Sequence, residues 1–289
     1  MHNRLVAGSN PAGPINLAAE ISISAASFFL DVRMRLSGSP DVHDSIIDLV
    51  STCVANANVA TRYRAPLVAF ARASDPRFAD LASHVPGHLL PDDLLPGAQS
   101  VCAFFLPFDE AIVEANRQGE LASEVWARAY VETNALLTEI CRALAREMPK
   151  QGVGVGWEPP THNFDPVRLV SAWSHKSVAV IAGLGQFGHH HMLITESGCA
   201  GRLGSVVLDV DVPEELDGAR SRDELCTYDR GCRACIRRCP VGALTEGGLD
   251  YQRCYARCLE NDARFSQWDA DVCGKCATGL CALQPGGTG

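Results

Sequence analysis

Nine of the 13 cysteines in this 289-residue chain lie within 56 residues, from Cys226 to Cys281. The region reads ELCTYDRGCRACIRRCPVGAL, then DYQRCYARC, then DVCGKCATGLC. So dense a run of thiols is either a disulfide scaffold or a metal-binding framework, and the redox compartment decides between them. Near the start, the longest apolar stretch is Ile21–Leu30, which Asp31 ends. That is too short to span a bilayer, and neither a compact basic region nor a small-residue cleavage site frames it. The expectation is a cytoplasmic protein with no membrane segment. Its thiols are then reduced and available to metal.

The spacing points to iron and sulfide. A cubane needs four thiolates, and the bacterial two-cluster pattern is C-x2-C-x2-C-x3-C-P, whose fourth cysteine crosses to the other cluster. Cys232, Cys235 and Cys239-Pro240 match its last three members, and Cys226 stands in for the first across the spacer TYDRG. The second motif is altered: Cys273 and Cys276 form a CxxC, Cys281 comes one residue late, and Cys254 or Cys258 must complete the set. The most economical assignment gives one 4Fe–4S cluster Cys226, Cys232, Cys235 and Cys281. The other takes Cys239, Cys254, Cys273 and Cys276, leaving Cys258 over. Zinc ribbons and a disulfide knot are the competing readings. Two CxxC pairs would suit zinc, but zinc has no use for the Cys-Pro crossover or for eight placed thiols.

The rest of the chain reads as a globular α/β domain, with 47% apolar and 20% charged residues. Its net charge of −9 argues against a broad grip on nucleic acid or anionic membrane. Helices are expected at Asp44–Ala57, after the Asp75-Pro76 cap, and at Leu121–Met148, stopped by Pro149. Strands are expected at Pro66–Ala71, Ser100–Leu106, Ser177–Ala182 and Leu203–Val210. Cys53 and Cys141 sit on helical apolar stripes as small core residues. The expected boundaries are a mobile leader over 1–40, an α/β domain over 41–215 and a ferredoxin-like domain over 216–289, joined by an acidic linker at Pro213–Arg222.

Between the last two strands lies AVIAGLGQFGHHHMLI, with Gly183, Gly185 and Gly188 spaced as in a dinucleotide fingerprint. That fingerprint requires a helix opening in the loop, and the following His189–Thr195 is strand-like, so a glycine-rich turn between strands is expected instead. Alternation along a strand would put His189 and His191 on one face and His190 on the other, which excludes three ligands to one ion. For each of these histidines, and for His175, a hydrogen-bonded or surface position is the simpler reading.

The order of these features resembles the epoxyqueuosine reductase family of cobalamin-dependent iron–sulfur reductases. The stretches that carry it are AGLGQFG with its apolar strand, Cys239-Pro240, the Leu249–Cys254 step, the CxxC at Cys273 and Cys276, and the earlier YRAPLVAFA and LLPGAQSVCAFFLPF. The resemblance implies an α+β, nitroreductase-like N-terminal domain that binds a corrinoid, packed on a two-cluster ferredoxin module. It implies that a ferredoxin or flavodoxin type of donor feeds low-potential electrons through the clusters to cobalt for reduction of a substrate. The pocket would be lined by Tyr130, Glu132 and His175 as catalytic groups, with Gly183, Gly185, Gly188, His189 and His191 against the corrinoid. Two departures stand out. Ala129-Tyr130-Val131 replaces the Asp-Tyr-His that supplies an acidic proton donor, and the chain stops eight residues after Cys281, short of the helical extension that holds tRNA. A small-molecule substrate is therefore expected rather than tRNA. The alternative is an electron-transfer protein that docks on a partner enzyme and has no catalysis of its own.

Overall fold

Strand Ser100–Pro107 is buried at every position, as expected of an apolar run with strands on both sides and helices on both faces. The computed structural model describes residues 42–161, 163–213 and 221–286. The leader expected at 1–40 and most of the linker at Pro213–Arg222 fall outside the described residues.

In chain order the elements that frame the site are α1 (Val42–Ala55), β1 (Leu67–Arg72), α2 (Pro76–His84), β2 (Ser100–Pro107) and α3 (Glu124–Glu147). They are followed by β3 (Val155–Gly156), α4 (His175–Ile181), β4 (Gly185–Phe187), β5 (Leu193–Thr195), β6 (Gly201–Leu208) and α5 (Tyr251–Arg264). Local chemistry sets the ends: Asp75 accepts the Arg77 N–H at 2.8 Å to open α2, and Ser123 accepts the Trp126 N–H at 3.2 Å to open α3.

The main sheet has the order β1-β2-β6-β3 with every pair antiparallel. Ala69 faces Ala103, and Ala103 faces Ser205. Alternation along β2 sends Cys102, Phe104 and Leu106 to one face and Val101 and Ala103 to the other. The first face packs on α1 and α3 through Ile46, Val50, Leu137, Ile140 and Leu144. The second packs on Phe78 of α2, on Trp173 and on Val178 of α4. Each such large side chain contributes about 1.5–3 kcal/mol by leaving water. The architecture is α+β.

The strand expected at Ser177–Ala182 is a helix. Ser174 accepts the Ser177 N–H and opens α4, which buries Val178, Ala179 and Ile181. A short apolar run carries no period that separates strand from helix, and the cap decides it. The glycine-rich segment therefore joins a helix to the β4–β5 hairpin rather than two long strands, and only Leu193–Thr195 of the His189–Thr195 run is strand.

The C-terminal segment is stitched to this sheet. Leu225, Phe265, Ala277 and Ala282 share a core with Phe108, Ile112 and Trp126. Backbone N–H groups of Cys199 and Ala200 donate to the carbonyls of Cys281 (2.9 Å) and Ala282 (3.0 Å). The buried ammonium of Lys275 donates to Asn116 O at 2.9 Å and Gln118 O at 2.6 Å. The thiols thus sit on a fixed platform.

Candidate redox and substrate site

Two cavities divide the C-terminal cysteines. The smaller, about 20 Å³, is lined by Cys226, Cys232, Cys235 and Cys281, with His189, His190 and Tyr228 beside them. The spacer TYDRG forms a single turn, Tyr228–Arg230, capped by Gly231 at φ 94°. Tyr228 is held on both faces, by the His189 ring at 3.7 Å and the Arg233 guanidinium at 4.1 Å. His189 Nε2 lies 2.7 Å from Thr245 O. Burial and the nearby Cys281 push the Cys235 thiol up to about 11. Cys281 moves the other way, because hydrogen bonds from the Cys199 thiol and from His190 favour its thiolate.

The larger cavity, about 370 Å³ and half open, is lined by Cys239, Cys254, Cys258, Cys273 and Cys276. Cys239 Sγ accepts backbone N–H groups from Ala243 at 3.2 Å and Leu244 at 3.4 Å. Such N–H···S contacts fit a thiolate that ligates a cluster. Cys254 and Cys258 stand one turn apart on α5; the Cys258 thiol donates to Cys254, which is held below the usual thiol range while Cys258 is raised. Burial and the Cys273 charge raise Cys276, so its ionisation needs a cation beside it.

The same cavity is also lined by Tyr130, Lys176, His191, Arg202 and Asp271. The Tyr130 hydroxyl donates to Asp271 Oδ1 at 2.5 Å, and burial raises its pKa. The Arg202 guanidinium lies 4.2 Å from the centre of the Tyr130 ring, and its Nε has no hydrogen-bond partner among the described residues. Lys176 reaches into the cavity, its Nζ 3.4 Å from His191 O. Burial and Arg202 lower its pKa, while the charges of Cys276 and Cys254 oppose that. The Lys176 residue is exposed.

Of the expected catalytic groups, the cavity therefore gathers Tyr130 alone. Two residues further along α3 is 200° round the helix, so Glu132 points away and accepts Thr61 N–H (2.8 Å) and hydroxyl (2.5 Å). His175 is buried in a structural chain: Trp173 Nε1 donates to Ser205 Oγ at 2.9 Å, and His175 joins Ser205 Oγ (2.8 Å) to Pro159 O (3.2 Å). Burial lowers its pKa to about 4, so it is neutral. Among the expected corrinoid contacts, His191 lines the large cavity and His189 the small one, while Gly183, Gly185 and Gly188 line neither. Reading the sequence missed Lys176, Arg202, Asp271 and Cys199, among which the lone cysteine in the loop ESGCAG was the one visible signal, and it took His190 as a hydrogen-bonded or surface histidine without its cysteine partner.

No family model matches the chain. Over 179 residues it is 27% identical to an epoxyqueuosine reductase of Escherichia coli strain K12, a match covering 60% of this chain and 44% of that protein. The chain spans less than half the length of the curated relatives it matches. A crystal structure of a selenomethionine-labeled epoxyqueuosine reductase superposes with a TM-score of 0.52 at 17% identity, over 82% of this chain and 65% of that one. A catabolic reductive dehalogenase in complex with 3-bromo-4-hydroxybenzoic acid does so with a TM-score of 0.50 at 16% identity, over 82% and 32%. At those identities the structural likeness speaks for the fold.

Proposed function

Taking as premise that the chain is a divergent relative of the epoxyqueuosine reductases, we propose that it is an oxidoreductase that passes low-potential electrons through two 4Fe–4S clusters to an acceptor in the large cavity. One observation carries this reading: a single cavity is lined both by cysteines and by Tyr130, Arg202 and Lys176. An electron source and a binding site for the acceptor then share one space.

The donor sets suit iron and sulfide. Cys226, Cys232, Cys235 and Cys281 would hold one cluster, and Cys239, Cys254, Cys273 and Cys276 the other, through the crossover at Cys239-Pro240. When bound, the clusters supply one-electron transfer at low potential. The cavity volume of about 370 Å³ is that of an ordinary small-ligand site. Tyr130, Lys176, His191 and Arg202 would hold a corrinoid, which the relationship suggests, and it would supply a reducible metal centre there.

The chain's own residues do the remaining work. Tyr130, kept protonated by burial and by the Asp271 carboxylate to which its hydroxyl donates, would deliver a proton to the reduced substrate when that hydroxyl turns from Asp271 into the cavity. Arg202 above its ring favours the phenolate that remains. Lys176 offsets the negative charge of the thiolates. Such general-acid assistance contributes about 10²–10⁴-fold. With a net charge of −9, the substrate is a small molecule rather than tRNA. A ferredoxin or flavodoxin type of donor would supply the electrons.

Anaerobic reconstitution with iron and sulfide, followed by absorption and EPR spectra with and without cobalamin, tests this. About eight irons and eight sulfides per chain, with a base-off cobalt signal, are expected. Clusters without corrinoid binding would point to an electron carrier docking on a partner enzyme. Stoichiometric zinc without iron would end both readings.

A further inference from the structure

Beside the small cavity, His190 is 3% exposed and its Nε2 stands 3.2 Å from Cys281 Sγ. The other ring nitrogen settles what Nε2 can do. Nδ1 accepts the backbone N–H of Met192 at 3.1 Å. A neutral imidazole carries one N–H, and with Nδ1 accepting, that hydrogen is on Nε2 and points at the sulfur. Cys199, 2% exposed, lies 3.8 Å from the same sulfur. These three donor atoms fall within 4.8 Å of one another, as a metal site would require. A mononuclear ion there needs the Nε2 lone pair, and the Met192 N–H selects the opposite tautomer. His190 is a hydrogen-bond donor to Cys281, not a ligand.

The glycine-rich segment is what aims it. Gly188 N–H donates to Met192 O and His191 N–H to Gly188 O, both at 3.0 Å, closing a tight turn with His191 at φ 60°. A Cβ on Gly188 would stand 2.8 Å from His190 Cε1 and 2.7 Å from Ile194 Cδ1. Only glycine at 188 lets the imidazole fold beneath its own turn toward the cysteines.

We infer that His190 sets the reduction potential of the cluster held at Cys281, and that the Gly185–Met192 turn serves to place this donor; the inference rests on the two-cluster reading above. An N–H aimed at a ligand sulfur stabilises the more negative, reduced cluster and raises its potential. The two sets differ here. Cys239 takes its N–H bonds from the backbone, whereas Cys281 takes its bond from a side chain that substitution can remove.

An EPR-monitored redox titration of the full chain, anaerobically reconstituted, compares wild type with His190→Leu and His190→Gln. The expected result for His190→Leu is unchanged iron and one midpoint lowered by about a tenfold change in the reduction equilibrium constant, ~59 mV for a one-electron couple. The second midpoint stays in place, and His190→Gln, which retains an N–H near the Nε2 position, recovers most of the shift. Cys199→Ala keeps its full iron. Equal midpoints in iron-loaded wild type and His190→Leu overturn the inference alone. Loss of about half the iron in both His190 variants would make His190 a ligand, and the same loss in Cys199→Ala would make that cysteine the ligand; either overturns it. A wild type that binds no iron overturns the two-cluster reading, and this inference falls with it.

Discussion

The helix–sheet core and the C-terminal segment use the same side chain in opposite ways. Cys53, Cys102 and Cys141 sit at 1% exposure or less between α1, α3 and the sheet, where burial pushes their thiols well above the usual range, Cys53 to about 12. Burial outweighs the nearby Arg146 and Arg142 charges that would favour a thiolate, so these cysteines pack as small apolar residues. In the C-terminal segment, Cys239, Cys254 and Cys281 each receive hydrogen bonds, and the last two are held below the usual range. Neighbours, not the residue type, decide whether a cysteine is packing or chemistry.

The largest expected effect tests that division directly. Cys239→Ala should lose about half the reconstituted iron, specifically the cluster that also uses Cys273 and Cys276 although Cys239 belongs to the earlier motif. Iron and sulfide analysis with EPR checks it, and loss of the other cluster instead would break the crossover. Next comes the platform that joins the two regions. Gly274, at φ 67°, packs so closely on the Trp126 indole that a Cβ would overlap it. Gly274→Ala should cost about 3 kcal/mol in denaturant unfolding and loosen Cys273 and Cys276 with it.

A third effect belongs to the core and reads in pH. His175 has a folded pKa of about 4 against an ordinary value near 6.5. As pH falls, the unfolded chain takes up this proton first. The stability contributed by the neutral ring is therefore complete above about pH 6.5 and is lost progressively toward pH 4, up to about 3 kcal/mol. Urea midpoints at pH 7.5 and pH 5 should fall further apart for wild type than for His175→Gln. The smallest effect sharpens the core side of the comparison. Cys102→Ala should cost only about 1–2 kcal/mol and leave the iron content unchanged.

Legibility followed the range of the interactions. β1, β2, β6 and α3 could be read because apolar runs, caps and helical periodicity are local signals. α4 could not, since its seven residues carry no resolvable period and the Ser174 cap outweighs its valines. The thiol spacing was also a local signal, and those cysteines line two cavities. Their partners across the cavities could not be read. Tyr130 meets Asp271 across 141 residues and His190 meets Cys281 across 91, so only the folded sheet and its stitched C-terminal segment bring them together. Glu132 shows the converse, because closeness in sequence to Tyr130 put it on the wrong face of α3.

The most direct test of the central claim is metal and sulfide analysis of the full chain isolated without oxygen. About eight irons and eight acid-labile sulfides per chain, falling to about four of each in Cys239→Ala, is the predicted result. Zinc in place of iron, or iron that Cys239→Ala leaves untouched, would contradict it.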